Sequence, residues 1–399
     1  MISSALAVAL TLAAVPVLAA AGYLFVLAVL SRRETGGDAP LGDAAARLRF
    51  DLVVPAHDEE GGIAGTVRSL LALDWPAEQR RVIVVADNCS DRTARVAERA
   101  GAHRALVRTD DELRGKGYAL ALAFGQSLAD RFADAVVVVD ADTVVDRHLL
   151  RAFAARLERG AQAVQADYAV RNPEDGWRPR LMSFAFTLFH RVRSLGRERL
   201  GLSAGLRGNG MCFATPLLRE VPYTAFSLVE DVEYGLRLGE AGHRVWYADD
   251  ARVFGEMVSS SGASASQRRR WEEGRAALRQ RASSLLRRAL RSRDRVLFDL
   301  ALDVLVPPLS RLVTMAVVGD LLAGALVLVA GATPFVVVPW AASLFFLATY
   351  LARGVQLSGP GSLRALAFAP LYLAWKLALR RSGRGSQAWV RTAREGETP

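Results

Sequence analysis

The stretch AVVVVDADTVVD, Ala135 to Asp146, decides the fold. Its four successive valines, Val136 to Val139, read as a strand buried on both faces, as in parallel sheets covered by helices on either side. The run then ends in Asp140-Ala141-Asp142. Side chains alternate along a strand, so the two acids share a face if the strand continues through them. Carboxylates so placed repel unless a cation sits between or beside them. Mg2+ or Mn2+ suits such a place, because it prefers oxygen ligands, often one or two carboxylates plus substrate phosphates. The competing reading is a turn in which Asp140 caps the next helix.

The same rhythm runs outward from this point. FDLVVPAH (50–57), RVIVVAD (81–87) and RALVR (104–108) read as strands. EEGGIAGTVRSLLALD (59–74), SDRTARVAERAGA (90–102) and GKGYALALAFGQSLAD (115–130) carry apolar residues at helical spacing, the second with Ser90 as its expected N-cap and Gly101 just past its end. Strands alternating with helices predict a parallel sheet wrapped on both faces, with its ligand outside the carboxyl ends of the strands. Asp87 and Asp140 each stand at such an end.

The flanks are different. Ala5 to Leu30, Leu312 to Ala330 (with one acid, Asp320) and Phe335 to Ala352 are long apolar runs, and roughly 20 apolar residues cross a bilayer core. The first lacks a basic leading segment, and Arg32 and Arg33 follow it, which argues against a cleaved signal peptide. The formal net charge is +10, carried almost wholly by arginine, with Lys116 and Lys376 the only lysines. That bias reads as codon usage and predicts no nucleic-acid partner. Arginine placement puts Arg32, Arg33, Arg268 to Arg295, Arg353 and the tail from Arg380 on the cytoplasmic side. The expected organisation is a transmembrane helix over 1–31, a linker over 32–48, a globular cytoplasmic domain over 49–262, basic interfacial helices over 263–306, two transmembrane helices over 307–352, an interfacial or re-entrant helix over 353–382 and a basic tail over 383–399. FDLALDVLVPPLS (298–310) is expected to run on into the second crossing. Cys89 and Cys212 lack metal-type spacing and are expected to stay reduced.

Further residues acquire meaning in company. Lys116 between two glycines offers a mobile cation to a phosphate, or merely a solvated loop. Glu230 and Asp231 in LVEDVEYGLRL open an amphipathic helix, where its dipole favours acids in any case. Gln267, Arg270 and Trp271 in QRRRWEEGR supply a planar donor fork for phosphate and a flat face for a sugar or base, or belong to an arginine-rich helix lying on anionic lipid.

The order Asp87, Asp140-x-Asp142, Glu230-Asp231, Gln267-x-x-Arg270-Trp271 resembles the D, DxD, (T)ED, QxxRW signature of membrane-bound family 2 glycosyltransferases, such as cellulose, chitin, hyaluronan and poly-N-acetylglucosamine synthases and ceramide glucosyltransferases. VVPAHDEE (53–60) is similar to the family's opening VPxxNEE, with Asp58 where asparagine is usual. LRGNGMCF (206–213) and AWVRTAR (388–394) also have counterparts. Val229 stands where many synthases have threonine, and ADNCSD where DDGSxD is common, which weakens inference to any one named polysaccharide. The resemblance implies a GT-A domain, an α/β Rossmann-like mixed sheet, flanked by transmembrane helices. It implies that Pro55, Glu59, Asp87, Lys116, Asp140, Gln267, Arg270 and Trp271 bind a UDP-sugar, and that Asp142 ligates Mg2+ or Mn2+. Gly208, Asn209 and Gly210 then line the sugar and acceptor pocket, while Asp231 serves as general base with Glu230 in support.

The expected activity is inverting transfer of a hexose or N-acetylhexosamine from a UDP-sugar to a growing polysaccharide or membrane-associated acceptor, in a multi-pass bacterial inner-membrane protein with its catalytic domain in the cytoplasm. Membrane lipids are expected partners. Polymer export would need a homo-oligomer or a separate exporter, since three crossings give little channel wall. The alternatives are a non-processive UDP-sugar:lipid transferase and a non-catalytic membrane nucleotide-binding protein.

Overall fold

The computed structural model describes residues 2–32, 41–257, 261–369 and 371–372, and not the side chains of residues 2, 3, 261–272 and 275. Among the described residues, eight strands form one sheet: β1 (Phe50–Ala56), β2 (Arg80–Asp87), β3 (Arg104–Arg108), β4 (Ala135–Val138), β5 (Thr143–Val145), β6 (Ala163–Val170), β7 (Met211–Ala214) and β8 (Val245–Gly255), in the order β3-β2-β1-β4-β7-β6-β8-β5. The half from β3 to β4 is parallel, as the alternation of strands and helices requires. The other half is mixed. β7 runs antiparallel to both β4 and β6, β8 is parallel to β6, and β5 closes the edge antiparallel to β8.

The central strands are sealed on both faces. Leu52, Val54, Val82, Val84, Val137 and Val139 pack into one core layer, and their neighbours Val53, Val85, Val136 and Val138 into the opposite one. The first layer is covered by α2 (Ile63–Leu71), α3 (Thr93–Arg99) and α5 (Leu149–Glu158), the second by α4 (Lys116–Asp130), α8 (Thr215–Glu220) and α9 (Glu230–Glu240). This accounts for the valine run: at period two, consecutive apolar residues serve two cores at once.

Two local expectations are corrected. The valine strand stops at Val138, and the chain turns at Ala141-Asp142 to enter β5 at Thr143, whose amide donates to the Asp140 carbonyl (3.2 Å). Asp140 and Asp142 are therefore set by a turn and not by a shared strand face. α3 begins at Thr93, with Asp91 accepting from the Thr93 amide (2.8 Å), while the Ser90 hydroxyl and amide bond to Asp58; Ser90 is not the cap.

Among the described residues, three helices are long and apolar enough to cross a membrane: α1 (Ile2–Leu30), α12 (Leu309–Ala330) and α13 (Val338–Ser358), the last with its lead-in from Pro334. They pack together through Ala14, Leu24, Leu312, Ala323, Trp340 and Leu347. Between β6 and β7 the chain forms α6 (Trp177–Phe186), a π-helical turn over Thr187–Val192 and α7 (Arg193–Arg199). α7 lies against α1 so closely that a Cβ on Gly196 would collide with the Leu27 backbone.

After α10 (Ser261–Ser292), α11 (Arg295–Leu305) starts afresh, its Asp294 cap accepting from the Leu297 amide (2.9 Å). Pro307 and Pro308 separate α11 from α12, so 298–310 does not run on into the crossing as one helix. α14 (Ser362–Ala367) is short, and Trp177 of α6 stacks near Phe368 just beyond it. The remainder of the expected interfacial helix, and AWVRTAR, lie outside the described residues.

A buried ionic hub joins the membrane helices to the sheet domain. Arg197 of α7 lies 2.9 Å from Asp299 and 2.8 Å from Asp303 of α11, and Arg193 lies 2.8 Å from Asp303. Tyr23 of α1 donates to Asp299 (2.8 Å), and the Arg193 Nε donates to the Tyr350 hydroxyl of α13 (3.1 Å). Arg207, in the loop before β7, reaches the same Asp303 at 3.9 Å.

Candidate active site

Four separate pieces of chain meet at the carboxyl ends of the parallel strands. Lys116 is the first residue of α4, and Gly115 before it adopts φ 131, a conformation suited to glycine. Its Nζ donates to Asp140 Oδ1 (2.6 Å) and to the Gly208 carbonyl (2.6 Å), and lies 3.5 Å from Glu230 Oε1. Lys116 is thus not a solvated loop residue but the junction of the turn after β4, the loop before β7 and the start of α9. Burial disfavours its charge, but Asp140 and Glu230 outweigh that and hold the ammonium above its ordinary range. Burial pushes the Glu230 carboxyl up to about 7 against the pull of Lys116, and Asp231 adds to the rise.

The loop before β7 supplies the floor. Gly208 has φ 79, and a Cβ there would lie 3.5 Å from Asp231 Oδ2, so the bare backbone brings Asp231 and Lys116 to one place. Asn209 is fully buried. It accepts from the Asp140 amide (3.1 Å) and donates to Thr143 Oγ1 (2.8 Å), bracing both ends of the Asp140–Asp142 turn. Gly210 has φ 67 and meets Val253 and Ala166, which leave no room for a side chain. Gln165 of β6 donates to the Asn209 carbonyl (2.7 Å) and accepts from the Arg207 amide (2.8 Å), so the loop is held from beneath.

Asp87 ends β2, largely buried, with Oδ1 accepting from Arg108 Nη1 (2.6 Å). Arg108 also pairs with Asp110 and lies over the Tyr118 ring, which stacks on Phe226. Pro55 is part-buried near the end of β1. Glu59 follows in the turn after β1, where its amide donates to Thr93 Oγ1 (2.7 Å). Gln267, Arg270 and Trp271 fall on α10, but their side chains lie outside the described residues.

Sequence reasoning missed Tyr168, Arg108 and Arg207. Burial pushes the Tyr168 hydroxyl well above its ordinary range, with Asp140 and Asp142 adding to it. A Cβ on Gly255 would lie 2.7 Å from that hydroxyl. The one available signal was Asp299 and Asp303 spaced i, i+4 in a helix otherwise apolar after Arg295, a pattern that asks for buried cations such as Arg207.

The donor set fits a hard divalent cation. Asp140 and Asp142 offer only carboxylate oxygens, and with one Asp140 oxygen given to Lys116, a cation there would complete its shell from diphosphate and water. Among the described residues, the three ligand-type atoms that do lie within 4.8 Å of one another are those of Asp58, Cys89 and Asp91. There the Asp58 carboxylate already accepts from the Ser90 amide (2.6 Å) and its hydroxyl, and Asp91 accepts from Glu60 and Thr93, so that group is a tied turn.

Residues 47–274 match the family described as glycosyltransferase like family 2, and the chain belongs to that family. The mixed sheet, with its acids at the carboxyl ends, is the GT-A arrangement of these glycosyltransferases. The relatives include a probable glycosyltransferase of Bacillus subtilis, YdaM, 24% identical over 232 residues, covering 57% of this chain and 55% of that protein. They also include the β-monoglucosyldiacylglycerol synthase of Synechocystis, 27% identical over 262 residues, covering 63% and 54%. The chain spans about half the length of the curated relatives it matches. Among solved structures, a mannosyltransferase of Pyrobaculum calidifontis in complex with GDP-Man and Mn2+ is 18% identical with a TM-score of 0.49, covering 94% of each chain.

Proposed function

We propose that this chain moves a sugar from a nucleotide-sugar donor, a UDP-hexose or UDP-N-acetylhexosamine, to a hydroxyl of a membrane lipid, with inversion to a β-linkage. The observation that carries the reading is Lys116 drawn at once to Asp140, the Gly208 carbonyl and Glu230, because it gathers donor-side and acceptor-side acids around one cation. A lipid acceptor is favoured over a growing polysaccharide by two supports. A relative named for glucosyldiacylglycerol synthesis aligns over more than half of the chain, and the three apolar helices among the described residues provide little wall for a polymer channel.

In this mechanism Asp231 takes the proton of the acceptor hydroxyl as its oxygen forms the new bond to the anomeric carbon. The bond from that carbon to the diphosphate breaks in the same displacement, and UDP leaves with the electron pair. General-base assistance of this kind is worth typically about 10²–10⁴-fold. Burial and the neighbouring Asp231 raise the Glu230 carboxyl to about 7, so near neutral pH it shares the site with Asp231 only partly ionised. Lys116 faces the departing charge, and Gly208 and Asn209 hold the turn that orients Asp140 and Asp142. When bound, Mg2+ or Mn2+ on Asp142 would neutralise the diphosphate. The anchors serve the acceptor: a lipid hydroxyl has to meet the site at the bilayer surface, and the arginine distribution supports the cytoplasmic face.

The test is UDP release by the purified full chain with a panel of UDP-sugars and vesicles containing diacylglycerol. The expected product is a single organic-extractable glycolipid. Large non-extractable material would return the reading to a processive synthase, and no UDP release with any donor would favour a non-catalytic nucleotide-binding protein.

A further inference from the structure

α1 and α13 both end on the side of the sheet domain, and a cavity of about 290 Å³ lies between their ends. It is lined by Ala28, Val29, Arg32, Thr349, Arg353 and Gln356, among others. Two guanidinium groups thus border one space, and among the described residues no carboxylate pairs with either. Arg353 is held in place and not loose. Its Nε donates to Ser31 Oγ (2.8 Å), its Nη1 to Gln356 Oε1 (3.0 Å) and its Nη2 to the Ser31 carbonyl. Ser31 is itself fully buried and donates to the Ala28 carbonyl (2.7 Å). A guanidinium has five N–H donors, so these bonds leave others unused. Arg32, at the exposed rim, adds its own.

Two like charges beside one cavity repel, an anion between them would relieve that repulsion, and planar guanidinium forks suit the multidentate oxygens of phosphate. Depth selects the anion. Arg353 lies five residues before the end of α13, about 7.5 Å at 1.5 Å per residue, which is headgroup depth for a spanning helix. The lining is polar at Thr349 and Gln356 and apolar at Ala28 and Val29, as a phosphate esterified to a diacylglycerol requires. We propose that this cavity is a binding site for the phosphate of one anionic phospholipid, in the leaflet that faces the sheet domain and distinct from the glycosyl-transfer site.

The test is native mass spectrometry of the detergent-solubilised full chain titrated with dioleoylphosphatidylglycerol, and it needs no catalytic readout. Wild type is expected to retain one lipid, and dioleoylglycerol, which lacks the phosphate, is expected not to bind there. R32Q and R353Q should each weaken retention about tenfold or more, the loss of one charge-assisted contact. R311Q removes an exposed arginine at the start of α12 and should leave retention unchanged. If R353Q fails to fold, R32Q, at the exposed rim, carries the test alone. Equal losses with R311Q would mean a general basic belt and overturn the site, as would unchanged retention in R32Q. Displacement of the lipid by millimolar inorganic phosphate would assign the cavity to a free anion and overturn the lipid.

Discussion

Replacing Arg197 by methionine should be the most destabilising single change in the region where the membrane helices meet the sheet domain. The Arg197 side chain is fully buried and stands against two carboxylates, Asp299 at 2.9 Å and Asp303 at 2.8 Å. Burial opposes its charge, but Asp299 and Asp303 hold the guanidinium well above its ordinary range. Methionine keeps much of the volume and strands the acids. Asp303 retains Arg193, whereas among the described residues Asp299 keeps the Tyr23 hydroxyl as its close partner. Removing one partner of a buried pair costs about 3–5 kcal/mol, because the other charge stays buried without compensation. At about 2–4 °C per kcal/mol for a domain of some 200 residues, the fall in melting midpoint is on the order of 10 °C.

The assay is thermal unfolding of the full chain in detergent, comparing wild type, R197M and R197M/D299N. The double variant neutralises the stranded acid and should recover part of the loss. An R197M midpoint within about 1 °C of wild type, or a double variant worse than the single one, would refute the argument that charge compensation holds this junction.

Asp231→Asn should retain UDP binding, read by calorimetry, and lose transfer by about 10²-fold or more; an active variant removes the base assignment. Glu230→Gln tests the raised carboxyl. With its value lifted from 4.5 to about 7 in the fold, the native state holds a proton that the unfolded chain releases, so wild type should lose stability relative to E230Q as pH rises from 4.5 to about 7, with no further divergence above. A stability gap that does not change with pH sinks that assignment. EDTA should abolish UDP release and Mn2+ or Mg2+ restore it; full activity in EDTA would remove the metal from Asp142. Asn209→Ala should lower transfer more than it lowers stability, because it frees the Asp140–Asp142 turn; a melting loss with unchanged turnover would make Asn209 purely structural.

The parallel half of the sheet was legible because its residues speak locally. Val136–Val139 serve two cores at period two, and the helices between strands carry their apolar stripes in sequence. The three apolar runs were legible from length alone. The mixed half was not, because β7 gains its place only by pairing with β4 and β6, whose sequences say nothing of direction. The turn at Ala141-Asp142 was hidden for a similar reason: its geometry is set by Asn209, some seventy residues downstream. The arginines misled most. Arg193, Arg197 and Arg207 looked like part of a compositional bias, whereas each is buried and committed to Asp299 or Asp303.

The bond between Tyr23 and Asp299 spans 276 positions of chain. At the usual ribosomal pace of about 5–20 residues per second, the first helix waits roughly 14–55 s for its acidic partner to be made. During that interval Leu24, Ala28 and Gly22 face lipid or an insertion factor where α7 and α13 will later sit. Assembly of the first helix with its partner therefore comes late in synthesis, and Gly196→Leu, which puts a side chain against the Leu27 backbone, should keep α7 from closing on α1.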